Sequence, residues 1–450
     1  MTNMGIEKSP EEKNISKMEI KDSKWRWVLM AVYIFYCGIS AFQWVEYSIV
    51  ANIIVRYYNV TVEKVDYTAM AYMLFPIPLV IPGSHLAECI GLRWTNIVGS
   101  GLICLGSCIK VFSVHSDRFL VTLIGQSFLA TSQVVILTIP GRLGALWFPL
   151  RQISTATSLA VFGAQLGIAS GFFLTPLCIR NHENVENIGE DLSRLFWVMA
   201  ALSTVAFLLV LILFKDEPKY PPSETRALQK QKREEAEMTL KEPIKRLMKN
   251  QSYLILCNSY GLGIGVLNAL STMLNQIVLA HFEDGQEFAG RLGLGIIVMG
   301  MFGSVAFGVI LDKTQKFKAT TVTVYFLTLC GQVFFALSMW LESIPLAYVA
   351  ACFLGFFISG YLALGYEMCA EYTYPESESL ATGILNIGNN LYGIILVLIC
   401  SRLKEYHGDI AVHICLCSSL LVGFIMTVFT KDEQRRQDAR RNNLYTGVAH

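Results

Sequence analysis

GVILDKTQKF, residues 308–317, closes a hydrophobic run with Gly308, places an acid four positions on at Asp312, and follows it with Lys313 and Lys316. SHLAECIGLR, residues 84–93, repeats that order in weaker form, with Ser84 for the glycine, Glu88 for the aspartate, and then Gly91 and Arg93. Each stretch follows one long apolar segment and precedes another. A carboxylate at such a loop can meet the N-terminus of a neighbouring helix, where the helix dipole favours negative charge, and tie two helix bundles together in one state. Glu88, Arg93, Asp312 and Lys313 are therefore the expected gating or inter-bundle residues of a chain built from two similar halves.

Working outward from these stretches gives twelve apolar segments, each long enough for the ~20 residues that cross a hydrocarbon core. They fall at 27–52, 68–90, 94–114, 119–141, 152–178, 195–214, 251–280, 289–311, 319–341, 344–368, 379–402 and 409–430. Composition agrees: 53% of residues are apolar, 16% are charged and the mean hydropathy is +0.47, so a lipid bilayer must act as solvent. Residues 215–250 are rich in charge, with Pro218, Pro221 and Pro222 at their start, and read as a cytoplasmic linker. The expected organisation is a tail (1–24), a six-helix bundle (25–214), the linker (215–250), a second bundle (251–430) and a second tail (431–450). Most of the 36 Lys and Arg lie in the tails and on the linker side, which places both termini in the cytoplasm by the positive-inside rule. The sequon Asn59-Val60-Thr61 then falls outside. Residues 1–24 mix Lys with Glu7, Glu11, Glu12 and Glu19, which suits a cytoplasmic tail rather than a signal peptide or presequence.

Several function classes drop out. A net charge of +1 with its basic residues in short loops and tails offers no nucleic-acid surface. The twelve cysteines are spread through apolar spans without paired spacing, so neither a disulfide framework nor a zinc site is expected. There is no Walker loop and no HExxH pattern, the histidines are dispersed, and no enzyme, metal or cofactor is expected.

Polar residues inside spans carry the functional reading, since burial in lipid is costly unless they bond to a neighbour or line a cavity. Trp44 in AFQWVEYS (41–48) has polar neighbours, and its π face suits a cation that lacks N–H donors. Tyr47, three residues on, shares its face on a regular helix. Glu46 lies about 200° away and either attracts a cation near the outer mouth or pairs with another helix. Gln165 is an amide within the fifth span. On the seventh, Tyr260, Asn268, Ser271 and Asn275 fall within about 80° of arc and form one polar stripe expected to face the cavity. Asn386, Asn389 and Asn390 lie on the eleventh, and Glu367 and Glu371 near the inner end of the tenth. No Lys or Arg sits at the centre of an expected span, which disfavours an anionic cargo. Gly163, Gly167 and Gly171 recur every four residues and suit close helix packing. Pro76, Pro78 and Pro82 are expected to bend the second span.

The two inside-loop stretches resemble the motif of the major facilitator superfamily. Further runs resemble the feline leukaemia virus subgroup C receptor family: AFQWVEYSIVANI (41–53), TIPGRLGALWF (138–148), STATSLAVFGAQLG (154–167), NSYGLGIG (258–265) with STMLNQ (271–276), GVILDKTQKFK (308–318) and EYTYPESES (371–379). The likeness runs over about 24–435. It implies an all-α membrane protein with the twelve-span major facilitator fold, two six-helix bundles around a central cavity. The resemblance also implies transport of choline or ethanolamine, with export of haem as the alternative within that class. A receptor or scaffold that has lost transport is the alternative outside it. A tryptophan and a tyrosine that enclose the ammonium match Trp44 and Tyr260, and a glutamine of the fifth span matches Gln165. A second glutamine matches Asn390, one methylene shorter, and Glu46 stands where relatives tend to have glutamine. The resulting expectation is a monomeric plasma-membrane uniporter of choline, working by alternating access.

Overall fold

The computed structural model describes residues 24–148, 152–216, 241–283, 285–314, 316–376 and 378–435. All regular structure among them is helical, and twelve helices are long and apolar enough to cross a membrane. In order, these spans are Trp25–Tyr58, Val62–Gly83, Cys89–Val111, Phe119–Gly144, Ser158–Cys178, Val185–Leu213, Gln251–Leu279, Gln286–Leu311, Phe317–Trp340, Ile344–Thr373, Leu380–His407 and Asp409–Phe429. The short helix Lys241–Lys249 precedes the seventh span. Its Arg246 makes a two-pronged ion pair with Glu376, at 2.6 and 3.3 Å, and its Leu247 is buried. Below, the side carrying Asn59 is the Asn59 face, and the side from which the first and seventh spans start is the linker face.

Helix breaks follow the sequence chemistry. The helix Val62–Leu74 gives way at Phe75 to a new one beginning with Pro76, a residue without the backbone donor that would continue the ladder. Gly91 turns the chain between the second and third spans at φ +85°, a backbone state open to glycine. Beside it the Arg93 backbone N–H donates to Asp216 Oδ1 at 2.8 Å, so an acid from the end of the sixth span caps the start of the third. A Cβ on Gly91 would stand 2.7 Å from that same oxygen. The first inside-loop stretch is thus a turn fastened within its own half.

The two halves repeat one packing scheme: first span on fifth and seventh on eleventh, third on sixth and ninth on twelfth. Small residues make the contacts close. A Cβ on Gly167 would collide with the Gly38 carbonyl and lie 2.9 Å from the Ala41 Cβ. In the second half Gly265 lies against the backbone of Tyr392 and Gly393. Without a hydrophobic drive between helices in lipid, backbone-to-backbone approach of this kind supplies the attraction.

Between the halves, contacts gather at the Asn59 face. The Asn275 side-chain amide donates to the Ile49 carbonyl at 2.8 Å, and Gln276 Nε2 donates to Asp66 Oδ1 at 2.8 Å. Ser401 Oγ donates to Asp66 Oδ2 at 3.0 Å, and Arg402 lies 3.4 Å from Glu63. Phe172 of the fifth span fits against Gly290 and Gly293 of the eighth. That face is closed.

Candidate functional site

Regular helix in the first span stops at Val45; a 3-10 turn covers Ser48–Val50, and helix resumes at Ala51. Trp44 sits one residue before the interruption. Its ring is half-buried, and its Nε1 is buried with no hydrogen-bond partner among the described residues. On the helix, Gly38, Ala41 and Val45 face the fifth span, while Tyr36 and Gln43 bond to Asn96 and Ser107 of the third. Trp44 lies on the arc between those faces.

The structure overturns one expectation and decides between two readings of another. Tyr47 does not share the Trp44 face: its ring packs on Phe196, centroids 6.1 Å apart, and lies 4.9 Å from Lys110 Nζ, inside the first half. For Glu46, pairing with another helix holds over attraction of a cation at the outer mouth. The acid is 1% exposed and ion-paired with the equally buried Lys110. The Lys110 ammonium also donates to Gln43 Oε1 at 3.0 Å and lies 5.6 Å from the Phe196 ring. A buried cation thus sits near the end of the third span, neutralised within its own half.

Tyr260 is fully buried. Its ring presses on Gly365 and stands 5.9 Å from Tyr361 and 5.8 Å from Tyr366 by centroid. Its hydroxyl makes no hydrogen bond of good geometry among the described residues, while the Tyr366 hydroxyl donates to Asn386 Oδ1 at 3.0 Å. No ring contact joins Trp44 to Tyr260 among the described residues.

The seventh-span stripe splits between tasks. Asn268 donates to Asn389 Oδ1 at 2.9 Å, within the second half, whereas Asn275 bonds across to Ile49; Ser271 is buried between them along the helix. Gln165 and Asn390 are different: both are half-buried and neither has a side-chain hydrogen bond among the described residues. Gln165 lies within about 20° of arc from Phe172 and Pro176, the residues under Gly290 of the eighth span. Asn390 lies about 20° from Gly383, where an added Cβ would stand 3.7 Å from Val80 of the second span. Both free amides therefore look across the seam between halves.

The side chains of Glu88 and Asp312 lie outside the described residues; Lys313 is exposed, and the Arg93 guanidinium reaches the Leu211 carbonyl at 3.4 Å. Glu371 is buried and Glu367 exposed. Sequence reading missed Gln133, which donates to Ser40 Oγ at 2.8 Å, and the linked Asp66, Gln276 and Ser401. A charge one turn inside a helix end was the available signal for Asp66.

A family model described as Major Facilitator Superfamily matches residues 29–397. The choline/ethanolamine transporter FLVCR2 of Rattus norvegicus is 39% identical over 429 residues, 95% of this chain and 78% of that one. The choline/ethanolamine transporter FLVCR1 of Felis catus is 37% identical over 426 residues, 94% and 75%. The chain belongs to the feline leukaemia virus subgroup C receptor family, within the major facilitator superfamily. As a member of that family it is a multi-pass membrane transporter and not an enzyme. The family fold extends to distant solved structures. A bacterial homologue of the human lysosomal transporter Spinster, inward-facing and occupied, aligns with a TM-score of 0.66 at 12% identity over 91% of this chain and 96% of that one. The fucose:proton symporter FucP of E. coli gives 0.60 at 13% identity over 89% and 98%.

Proposed function

We propose that the chain carries choline, and ethanolamine through the same pocket, across the plasma membrane by alternating access. The observation that carries this reading is likeness along nearly the whole chain to transporters named for those two substrates. The polar inventory supports it. Trp44 is half-buried with no hydrogen bond at its Nε1 among the described residues, and Gln165 and Asn390 are uncommitted amides turned to the seam. A choline headgroup has no N–H donor, so it is held by aromatic faces and shape. Each cation–π contact contributes ~0.5–2 kcal/mol, weak enough for release. Tyr260 completes the cage on this reading when the seventh span turns its ring off Gly365. On this reading Gln165 bonds the hydroxyl end of the substrate, and Asn390, shorter than the glutamine of relatives, makes its contact through water.

The tails, the 215–250 linker and the two inside-loop stretches lie in the cytoplasm, with the 25–214 and 251–430 bundles rocking around the site as a monomer. In that orientation the closed Asn59 face is the outer one. Asp312 with Lys313, and Glu88 with Arg93, hold the inner side in the opposite state. An inside-negative potential drives a cation inward by ~2.3 kcal/mol per charge per 100 mV, so uniport needs no coupled ion. The test is labelled-choline uptake by cells expressing wild type, Trp44→Ala and Tyr260→Ala at matched surface levels. Uptake at low choline cut about two- to thirtyfold but still above vector is expected in both variants, the ~0.5–2 kcal/mol of one cation–π contact. Uptake untouched by either would remove the cage, and none from wild type would remove choline.

A further inference from the structure

The break after Trp44 leaves a problem that the first half solves with side chains. In the last turn of a helix, backbone carbonyls lose their partners four residues on and need others. The Gln43 carbonyl is one of these, and Gln126 Nε2 from the fourth span donates to it at 2.8 Å. The Gln43 side chain is fastened as well: its Nε2 donates to Ser107 Oγ at 2.9 Å, and its Oε1 accepts from Lys110 Nζ at 3.0 Å. Ser107 Oγ is in turn 2.9 Å from Ser203 Oγ of the sixth span. Two residues beyond Trp44, Glu46 is held by the same Lys110 ammonium, which also lies 3.4 Å from Gln126 Oε1. Gln43, Glu46, Lys110 and Gln126 are all 1% exposed or less.

Trp44 is thus bracketed by two anchors that converge on one buried cation, while its own ring carries no hydrogen bond. Simple helix packing does not require this. The neighbouring stretch of the span, at Gly38 and Ala41, is held by close backbone contact without any charge. A buried ion pair adds little stability over apolar packing of the same volume, but it fixes geometry.

We infer that Lys110, Gln126 and Glu46 are positioning residues for the substrate: together they hold open the helix end that aims Trp44 at the ammonium. This rests on the proposed choline reading. Because the pair is neutral overall and enclosed in the first half, it acts through the Trp44 backbone and not as a counter-ion in the cavity. Substrate and transport-competent states should feel it alike, so its loss should raise KM and leave the maximal rate in place.

The test uses purified full-length protein in proteoliposomes, with initial rates of labelled-choline uptake measured across concentration. Wild type, Gln126→Leu, Lys110→Met, the neutral pair Glu46→Gln/Lys110→Met, and Trp44→Ala with and without Gln126→Leu are compared. Expected is a five- to twentyfold rise in KM for Gln126→Leu and Lys110→Met, with maximal rate per protein within twofold. The neutral pair leaves no buried charge alone but removes the same anchor, so its KM should stay raised at least fivefold. A return to the wild-type KM would assign the Lys110→Met effect to an unpaired Glu46 and overturn the positioning role. On the Trp44→Ala background, Gln126→Leu should add nothing, because both changes act through one ring. A fall in maximal rate at unchanged KM, or full additivity with Trp44→Ala, would overturn the inference while leaving choline transport intact. Absence of wild-type uptake would overturn the choline reading and this inference with it. If Gln126→Leu does not fold, Ser107→Ala releases the Gln43 side chain from the same clamp and is judged by the same two criteria.

Discussion

Asp66 and Gln276 join the two halves of the transporter through a 2.8 Å hydrogen bond, carboxylate on the second span and amide on the seventh. The second Asp66 oxygen accepts from Ser401 at 3.0 Å, and Lys404 Nζ donates to the Gln276 carbonyl at 2.6 Å. One buried carboxylate therefore links three spans at the closed face. Hydrogen bonds to a charged group are worth about 1.5–3 kcal/mol each, so removing this acceptor should shift the open-to-closed balance at least tenfold. Ile49→Cys, at the seam, reports the shift. Its labelling by a membrane-impermeant maleimide, over the background of the native cysteines, should speed up at least tenfold when Asp66→Ala is added. An unchanged rate would mean that the latch does not limit opening.

Aromatic recognition predicts a charge preference as well as a size preference. 3,3-Dimethylbutan-1-ol copies the shape of choline without its charge. Loss of one cation–π contact, ~1–2 kcal/mol, should leave it at least fivefold weaker than choline as a competitor of wild-type uptake. In Trp44→Phe that ratio should shrink, and in Trp44→Ala it should shrink further, with Tyr260 keeping the remainder. A ratio that stays the same across the series would assign Trp44 a purely steric role.

Asn390 is a half-buried amide with no side-chain partner among the described residues. Asn390→Gln restores the missing methylene and should turn a water-mediated contact into a direct one. A two- to fivefold fall in the choline KM is expected, with the ethanolamine KM measured in parallel. A rise for both substrates would mean that the pocket has closed around the shorter side chain.

Packing predictions separate two glycines. Gly167→Val forces side-chain atoms onto the Gly38 backbone, and overpacking of this kind costs about 1–3 kcal/mol. Its melting temperature in detergent should fall by several degrees. Gly308→Ala has nothing within 4 Å to collide with and gains helix propensity, so its melting temperature should hold or rise slightly. Equal losses for both would contradict the packing described.

The span count was legible because twenty-residue apolar runs have few other uses, and Trp44 stood out for its polar neighbours. What escaped was whatever needed a partner distant in sequence. Glu46 and Lys110 are 64 positions apart, so nothing near Glu46 announced a buried lysine. Tyr47 was placed on the Trp44 face by assuming a regular helix, and the interruption after Val45 rests on Gln126, from another span. Asp66 and Lys404 fell beyond the expected limits of 68–90 and 379–402 because charge at a span end reads as loop. The spans run 62–83 and 380–407, with those charges bonded inside. For Asn268 and Asn275 the shared arc was correct, but a helical wheel cannot tell a cavity from a seam.

The way Phe172 meets Gly290 and Gly293 bears on how far the halves need to travel. Past Gly293 the eighth span packs on the tenth, through Gly300 against Ser359 and Gly303 against Phe356, and so belongs to its own half. Phe172 is therefore placed as a fulcrum, with some twenty residues of helix, about 30 Å, as the lever arm beyond it. A tilt of about 10° there swings the far end by about 5 Å, about the width of a quaternary ammonium group. A larger side chain at either glycine would jam the bearing without touching the load.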